Sequence, residues 1–308
     1  MKVEMGYKFK GSGHEVPEER REYKQPDSRL VKAFEAWVKT TAESPPAGIS
    51  FDETIRQAIG DFEFSVDDVT ALIYQFEGHE KMPAAGLFLS RLYSKAKGEV
   101  IIFDPGVEMT NVAYELPKNK IFVNKTPRIG DLGEFSEGKI INYGLVRDNH
   151  NFGYRSRRSG TLLNYGAVST GPGNSDALFI NAGKVLNLAE AKCTINLQEA
   201  EMRCGFSSDV VVNLGSLSTH CVHARKIISI KETKIDHFEH CNPCKTIMLT
   251  EEQSKSIPEL MEYFDRLKQD IEAGRNDHDK AIEAIRKLSA EQVLKDLERI
   301  VTSAGYKW

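Results

Sequence analysis

The sequence predicts an α+β protein in which a short parallel β-helix (a β-solenoid) lies between two helical segments. Three observations predict this fold: apolar residues recur at helical spacing near both ends, the middle is rich in β-branched residues, and one short phrase recurs there. A chain of 308 residues is also long enough to bury a core without disulfides. The expected parts are a polar flexible arm at 1–27, a helical domain at 28–97, a β-solenoid domain at 98–249 and a C-terminal helical segment at 250–308.

The first helical domain is marked by apolar spacing and by helix-start signals. Leu30 and Phe34 lie four residues apart on one helix face. Ser50 and Ser65 each open a Ser-x-x-acid sequence, in which the hydroxyl and the carboxylate satisfy each other's backbone donors. Pro83 suits a first helical turn. These signals predict about four helices.

The C-terminal segment carries three apolar stripes, at 260–271, 282–288 and 293–301. Ser289 is a cap residue before the third stripe, and Gly305 is a stop signal after it. Three helices are therefore expected here.

The middle of the chain repeats an apolar-Asn-x-Gly-x-apolar phrase. The clear copies are Asn142-Tyr143-Gly144, Asn164-Tyr165-Gly166, Asn181-Ala182-Gly183 and Asn213-Leu214-Gly215, with weaker echoes at Asp104, Asn124, Asn196 and Ser229. Successive marks are 15 to 22 residues apart, with a mean of about 18. This period is shorter than that of helical repeats or propeller blades.

The period suits one rung of a solenoid, and residues 99–249 resemble a parallel β-helix. Their variable rungs resemble the right-handed form more than the hexapeptide form. We expect the asparagines to hydrogen-bond from rung to rung and each glycine to supply a positive φ or a tight corner. The apolar residues before Asn and after Gly are expected to point inward, and the flanking helices to cap the open ends. An antiparallel β-sandwich whose turns use Asn-x-Gly stays open as the alternative.

Composition narrows the function classes. The near-neutral balance of 41 basic and 45 acidic residues argues against nucleic-acid binding. Apolar runs fall short of the ~20 residues that span a bilayer, so no membrane partner is expected. The N-terminal residues lack an apolar signal-peptide stretch, so we expect a cytoplasmic protein with reduced cysteines.

The densest group of metal-binding residue types lies between 220 and 244. Two cysteines at Cys-x-x-Cys spacing can share one tetrahedral ion, and imidazoles can complete the shell. Soft ligands favour Zn²⁺ or an iron–sulfur centre over Mg²⁺. The candidate zinc ligands are His220, Cys221, His223, His237, His240, Cys241 and Cys244.

The same cysteines leave two other interpretations open. Cys241-Asn-Pro-Cys244 resembles the Cys-x-Pro-Cys sequence of thioredoxin-like proteins, which implies thiol redox chemistry, but no βαβ unit surrounds it. The cysteines and histidines could also be without any ligand.

A basic stretch joins two clear rungs. Its candidate anion-binding residues are Arg147, His150, Arg155, Arg157 and Arg158. Guanidinium groups donate two parallel hydrogen bonds to a carboxylate or phosphate, and the neighbouring aromatic residues can stack on rings. The alternative is a solvated loop.

Three functions follow as hypotheses. The first is a cytoplasmic binding or assembly protein built on the solenoid, with a structural zinc joining its end to the helical tail. The second is an enzyme that acts on an anionic small molecule or sugar on the solenoid face. The third is a thiol redox protein using Cys241 and Cys244. A homo-oligomer is a further expectation, because solenoids with exposed strands often pair.

Overall fold

A computed structural model of the chain describes residues 25–43, 59–60, 62–73, 83–105, 108–156, 160–173, 175–187, 189–197, 200–202, 206–215, 217–219, 222–230, 233–235 and 247–308. The helices are α1 (Ser28–Glu43), α2 (Val66–Ile73), α3 (Pro83–Lys95), α4 (Glu251–Lys255), α5 (Pro258–Ala273), α6 (His278–Arg286) and α7 (Ala290–Ser303). The strands are β1 (Val100–Phe103), β2 (Ile121–Asn124), β3 (Arg128–Ile129), β4 (Lys139–Asn142), β5 (Leu145–Asn151), β6 (Thr161–Asn164), β7 (Ala167–Thr170), β8 (Leu178–Asn181), β9 (Lys184–Asn187), β10 (Ala189–Asn196), β11 (Ala200–Met202), β12 (Phe206–Asn213), β13 (Leu217–Thr219), β14 (Val222–Ser229), β15 (Thr233–Ile235) and β16 (Ile247–Leu249).

The strands form a β-solenoid of about six turns, flanked by N- and C-terminal helices, as the sequence predicts. One parallel sheet of nine strands runs β1-β2-β4-β6-β8-β10-β12-β14-β16, beside a four-stranded sheet (β3-β5-β7-β9) and a three-stranded sheet (β11-β13-β15). All pairs between these described strands are parallel, whereas a sandwich would need antiparallel ladders. The β-sandwich alternative is therefore wrong.

A ladder of buried asparagines runs along the nine-stranded sheet, as predicted. Each side-chain Nδ2 donates to Oδ1 of the asparagine on the next rung, at 2.8 to 3.1 Å, and the last donates to Ser229 Oγ at 3.4 Å. The members are Asn124, Asn142, Asn164, Asn181, Asn196 and Asn213. The mark placed at Asp104 is wrong, because strand pairing sets Phe103 opposite Asn124.

The glycines that follow the asparagines make tight corners. A Cβ on Gly144, Gly166 or Gly183 would lie 1.9 to 2.0 Å from a carbonyl oxygen of the preceding rung. None of these three has a positive φ. Close backbone approach therefore explains these glycines, and a left-handed conformation does not.

The sheet alternation corrects one expectation about the core. Because each asparagine points inward, the residue immediately before it points outward and the one before that points inward. Phe122 and Ile140 accordingly belong to the interior cluster, whereas Ile141 and Leu163 pack against the C-terminal helices. The expectation for the apolar residue after Gly is confirmed in three copies, since Val146, Val168 and Val185 lie inside.

The N-terminal helices close one end of the solenoid. Trp37 and Phe88 belong to the same apolar cluster as Phe103 and Phe122, so the helical core and the solenoid interior are continuous. The buried Lys120 ammonium donates to two carbonyls just after α3, at 2.5 Å each, and joins the helices to the second rung. The prediction of a capping role holds at this end.

The C-terminal helices lie over the outer face of the nine-stranded sheet, which the prediction of end caps did not foresee. Lys139 Nζ donates to the carbonyls of Ile285 and Arg286 at 2.6 Å, where the dipole of α6 favours a cation. Thr161 Oγ1 donates to the Leu288 carbonyl at 3.0 Å. A sheet covered on both faces explains its unbroken apolar runs.

The tyrosines of the Asn-Tyr-Gly phrases fix the end of α5. Their rings stack with centroids 4.9 Å apart. Tyr143 Oη donates to the Gly274 carbonyl at 2.6 Å, and Tyr165 Oη donates to the Ile271 carbonyl. Arg275 Nη2 completes the junction by donating to the Ala182 carbonyl at 2.7 Å.

Several local signals are confirmed. Ser65 and Asp68 form a reciprocal cap before α2, and Ser289 Oγ accepts from the Gln292 amide at the start of α7. Gly305 has a φ of 84°, as a helix stop requires. The arm predicted at 1–27 lies outside the described residues up to position 24, and so does nearly all of the helix expected after Ser50.

Candidate functional site

Three successive rungs share a five-residue turn that precedes a strand of the nine-stranded sheet. These turns are 112–116, 132–136 and 152–156, and we name them the turn stack. Parallel bridges join Val112 to Leu132 and Leu132 to Phe152. The amide of Gly133 donates to the Val112 carbonyl at 2.8 Å, and that of Gly153 to the Leu132 carbonyl at 2.7 Å. The turns are therefore in register, one above another.

Each turn has a left-handed backbone at its second and fourth positions. For residues other than glycine this conformation costs about 1–2 kcal/mol each. The fourth-position amides donate to carbonyls of the next rung at 2.8 to 2.9 Å, which holds the backbone in place. The second-position residues are Ala113, Gly133 and Gly153 (φ 57°, 78° and 73°), and the fourth-position residues are Glu115, Phe135 and Arg155 (φ 49°, 53° and 51°). Backbone strain of this kind concentrates at functional sites, so the turn stack is a candidate site.

The outer surface of the turn stack carries three partly exposed aromatic rings. The Tyr114 and Phe135 centroids lie 5.5 Å apart with a 60° interplanar angle, and those of Phe135 and Tyr154 lie 6.3 Å apart at 83°. A Cβ on Gly173 would lie 3.0 Å from the Tyr154 ring, so the last ring rests against the backbone of the next rung. The three rings therefore follow one another along the solenoid axis.

Arg155 is the exposed cation of this surface. Its Cζ lies 5.1 Å from the Tyr154 centroid and 5.8 Å from that of Phe135, within cation–π range. It makes no ion pair with any residue that the structure describes. At the opposite end Arg91 of α3 lies over Tyr114, but it pairs with Glu115. Arg155 therefore keeps its hydrogen-bond donors available to a ligand.

Glu134 occupies the turn position that Tyr114 and Tyr154 occupy on the neighbouring rungs. Partial burial raises the pKa of its carboxyl, the charge of Asp131 acts in the same direction, and Arg155 opposes both. The surface thus combines aromatic rings, a cation and a partly desolvated carboxyl group. Such a combination can bind an anionic ligand that carries rings and hydroxyl groups.

Of the other predicted anion-binding residues, the structure describes the side chain of Arg147 alone. Arg147, on β5, forms an exposed ion pair with Glu108. The backbone of His150 lies in β5, but its side chain is outside the description, as are Arg157 and Arg158 entirely. Of the five candidates, the structure places Arg155 on the turn stack.

The predicted zinc ligands lie mostly outside the described residues. This holds for His220, Cys221, His237, His240, Cys241 and Cys244, whereas His223 is described only as backbone in β14. Within the described part of the chain, no three His, Cys, Asp or Glu side chains form a group that could hold a metal. The one described cysteine, Cys193, is buried under the C-terminal helices, and burial raises its pKa to about 12.

Sequence reasoning overlooked the turn stack, although a signal exists. Leu132-Gly133-Glu134-Phe135-Ser136 and Phe152-Gly153-Tyr154-Arg155-Ser156 share an apolar-Gly-x-x-Ser pattern 20 residues apart. Both serines are buried, and Ser156 Oγ donates to the Gly133 carbonyl at 3.1 Å. The first turn, 112–116, lacks both the glycine and the serine, which leaves only two matching copies.

Helices over the described ranges are all too short or too polar to cross a bilayer. Comparison with known proteins adds no relative: no protein-family model, curated protein or solved structure matches this chain.

Proposed function

We propose that this protein is a binding protein whose recognition surface is the turn stack. The observation that carries the proposal is Arg155, an exposed guanidinium without a carboxylate partner among the described residues, held over two aromatic rings. Arg91 and Arg147 differ from it, because each of them pairs with a carboxylate. The ligand that matches this arrangement is an anion with ring groups.

Rigidity of the backbone supports recognition. The turns are held by inter-rung hydrogen bonds, so little conformational entropy is lost when a ligand binds. Contact with an aromatic ring contributes about 0.5–1.5 kcal/mol beyond the area that it buries, and a charge-assisted hydrogen bond to Arg155 adds about 1.5–3 kcal/mol.

The test is an array that displays acidic glycans, neutral glycans, nucleotides and single-stranded oligonucleotides. The intact chain and its Arg155→Ala variant are compared on the same array. We expect at least one anionic class to bind the intact chain and to lose binding in the variant. Binding that is unchanged in Arg155→Ala, or no binding of any anionic class, would contradict the proposal. Arg147→Ala is the matched control.

An enzyme acting on an anionic small molecule or sugar is the second candidate. The observation that favours it is Glu134, since a carboxyl whose pKa is raised by burial can act as a proton donor. Product analysis by mass spectrometry of each array ligand that binds would discriminate the two. Turnover that disappears in Glu134→Gln supports an enzyme, and intact ligand supports a binding protein.

A structural zinc at Cys241 and Cys244, with the nearby histidines, remains part of the proposal. It is supported by the density of soft ligands between 220 and 244. Elemental analysis by inductively coupled plasma mass spectrometry should find near-stoichiometric zinc in the intact chain. Replacing both cysteines with alanine should remove it and lower the melting temperature. Unchanged metal content and stability would refute the site, and reversible disulfide formation would favour the thiol redox alternative.

We also propose a cytoplasmic location, because the buried free thiol of Cys193 and the odd cysteine count suit a reducing compartment. Cell fractionation tests it. The homo-oligomer stays a prediction, and light scattering coupled to size-exclusion chromatography would measure the mass.

A further inference from the structure

We propose that the ligand of the turn stack is an acidic oligosaccharide that lies along the solenoid axis, with a uronic acid carboxylate on Arg155 and its sugar rings on Tyr114, Phe135 and Tyr154. This inference rests on the proposed function and names the chemical class of the ligand. Four features of the surface lead to it: its direction, the tilt of its rings, its carboxyl groups and its single available cation.

The direction comes from the rungs. Equivalent residues on adjacent rungs are about 4.8 Å apart, so Tyr114 and Tyr154 are separated by about 10 Å along the axis. Phe135 lies between them on the middle rung. A ligand made of repeating ring units, extended parallel to the axis, can therefore meet one aromatic ring after another.

The tilt of the rings favours sugars over a row of nucleobases. Neighbouring rings are inclined by 60° and 83°, so they do not offer parallel faces on which successive flat bases could stack. An aromatic face carries partial negative charge, and the C–H groups on the flank of a pyranose ring carry partial positive charge. Ring faces at different inclinations suit a chain of puckered sugars.

The carboxyl groups of the surface also discriminate between ligands. Glu134 lies on the middle rung, and Asp131 is close enough to raise its pKa. A strand with one phosphate per unit would be repelled by these groups. Sugar hydroxyl groups instead donate hydrogen bonds to carboxylates. The surface therefore suits a ligand with many hydroxyl groups and few charges.

The available cation sets where the charge of the ligand lies. Arg91 is engaged by Glu115, which leaves Arg155 as the available guanidinium of the turn stack among the described residues. The planar guanidinium matches a carboxylate with two parallel hydrogen bonds. One uronic acid beside neutral sugars fulfils this arrangement.

The experiment uses the full chain and a hexasaccharide that alternates glucuronic acid with N-acetylglucosamine, measured by isothermal titration calorimetry. The same hexasaccharide with its carboxyl groups reduced to alcohols and a single-stranded dT hexamer are the comparison probes. The variants are Arg155→Ala, Phe135→Leu and, as the matched control, Arg128→Ala, which removes an exposed arginine from the outer face of β3. Circular dichroism verifies that each variant is folded.

We expect the hexasaccharide to bind the intact chain and to bind Arg155→Ala at least tenfold more weakly. Phe135→Leu should weaken binding several-fold, and Arg128→Ala should leave it unchanged. The carboxyl-reduced probe should bind the intact chain as weakly as the acidic probe binds Arg155→Ala, because both changes remove the same contact.

Three outcomes would overturn the inference. If the dT hexamer binds through Arg155 and the hexasaccharide does not bind, the ligand class is wrong while the binding function stands. If the hexasaccharide binds equally well to Arg155→Ala, both the ligand class and the turn stack as its site are wrong. If no probe binds the intact chain, the saccharide inference fails, and the array described above decides the broader function.

Discussion

The asparagine ladder gives the sharpest stability prediction, at Asn181 in its centre. This side chain is 1% exposed. It donates to Asn196 Oδ1 at 3.1 Å, and it accepts from Asn164 Nδ2 at 3.1 Å and from the Gly183 amide at 3.2 Å. Alanine removes all three bonds at a site that water does not reach.

The magnitude follows from these bonds. A net hydrogen bond contributes about 1 kcal/mol, and a buried group left without a partner costs about 1–3 kcal/mol. Asn164 Nδ2 retains bonds to the carbonyls of Gly166 and Lys184, which limits the loss on that side. We therefore expect Asn181→Ala to lower the free energy of unfolding by about 2–4 kcal/mol. Ser229→Ala, which removes the 3.4 Å bond at the ladder's end, should cost about 1 kcal/mol or less.

The assay is urea unfolding followed by far-ultraviolet circular dichroism, with the slopes compared so that a midpoint shift reports stability. Asn181→Asp serves as a second variant. Its buried carboxylate should destabilise the protein more than alanine at neutral pH and less in acid, where the protonated carboxyl can donate again. The reasoning is refuted if Asn181→Ala costs no more than Ser229→Ala.

Three further predictions concern a corner, the tail and the turn stack. Gly166→Ala places a Cβ 2.0 Å from a carbonyl oxygen of the preceding rung and should cost about 3 kcal/mol or more in urea unfolding. Gly60→Ala is the control: its Cβ would meet open space, and only the φ of 61° disfavours alanine, so the free energy of unfolding should fall by only about 1 kcal/mol. Equal losses in the two variants would contradict the close backbone approach at Gly166. Tyr165→Phe removes the hydroxyl bond to the end of α5, so limited proteolysis should cut the tail faster, and an unchanged rate would contradict its anchoring role. Burial and Asp131 raise the pKa of Glu134 above its ordinary 4.5, against the opposing charge of Arg155, so the folded state binds a proton more tightly than the unfolded state does. The free energy of unfolding should therefore fall as the pH rises through the interval just above 4.5. Urea unfolding from pH 4 to 7 should show this fall in the intact chain and not in Glu134→Gln, and an equal fall in the variant would contradict the reasoning.

The rung positions could be predicted from the sequence. A buried asparagine must hydrogen-bond to the asparagine on the next rung, so asparagine recurs once per rung. Asn142 and Asn164 therefore locate their strands without any structural information. Which residues of each strand point into the solenoid interior was harder to predict. Ile141 is as apolar as an interior residue, and only the tail helices above it explain its outward direction.

The turn stack was harder to predict for a different reason. The fourth positions of its turns carry Glu115, Phe135 and Arg155, and none of these residue types signals a left-handed backbone. The conformation is imposed by hydrogen bonds from neighbouring rungs, so it is a tertiary property. The sequence singles out Arg155 as a candidate anion-binding residue, and that role stays a prediction, whereas its placement over two rings could not be predicted.

The C-terminal helices α4 to α7, here called the tail, lie on the nine-stranded sheet and give the solenoid a property that its repeat does not have. Any rung could in principle be copied or deleted, since each one meets only its neighbours through the same asparagine bond. The anchors do not allow this, because Lys139, Tyr143, Tyr165 and Ala182 each meet a different point of the two helices α5 and α6 or the residues just beyond them. An inserted rung would move the later anchors by about 4.8 Å and leave helix carbonyls facing the wrong side chains. The tail is thus a molecular ruler that fixes how many rungs the protein has.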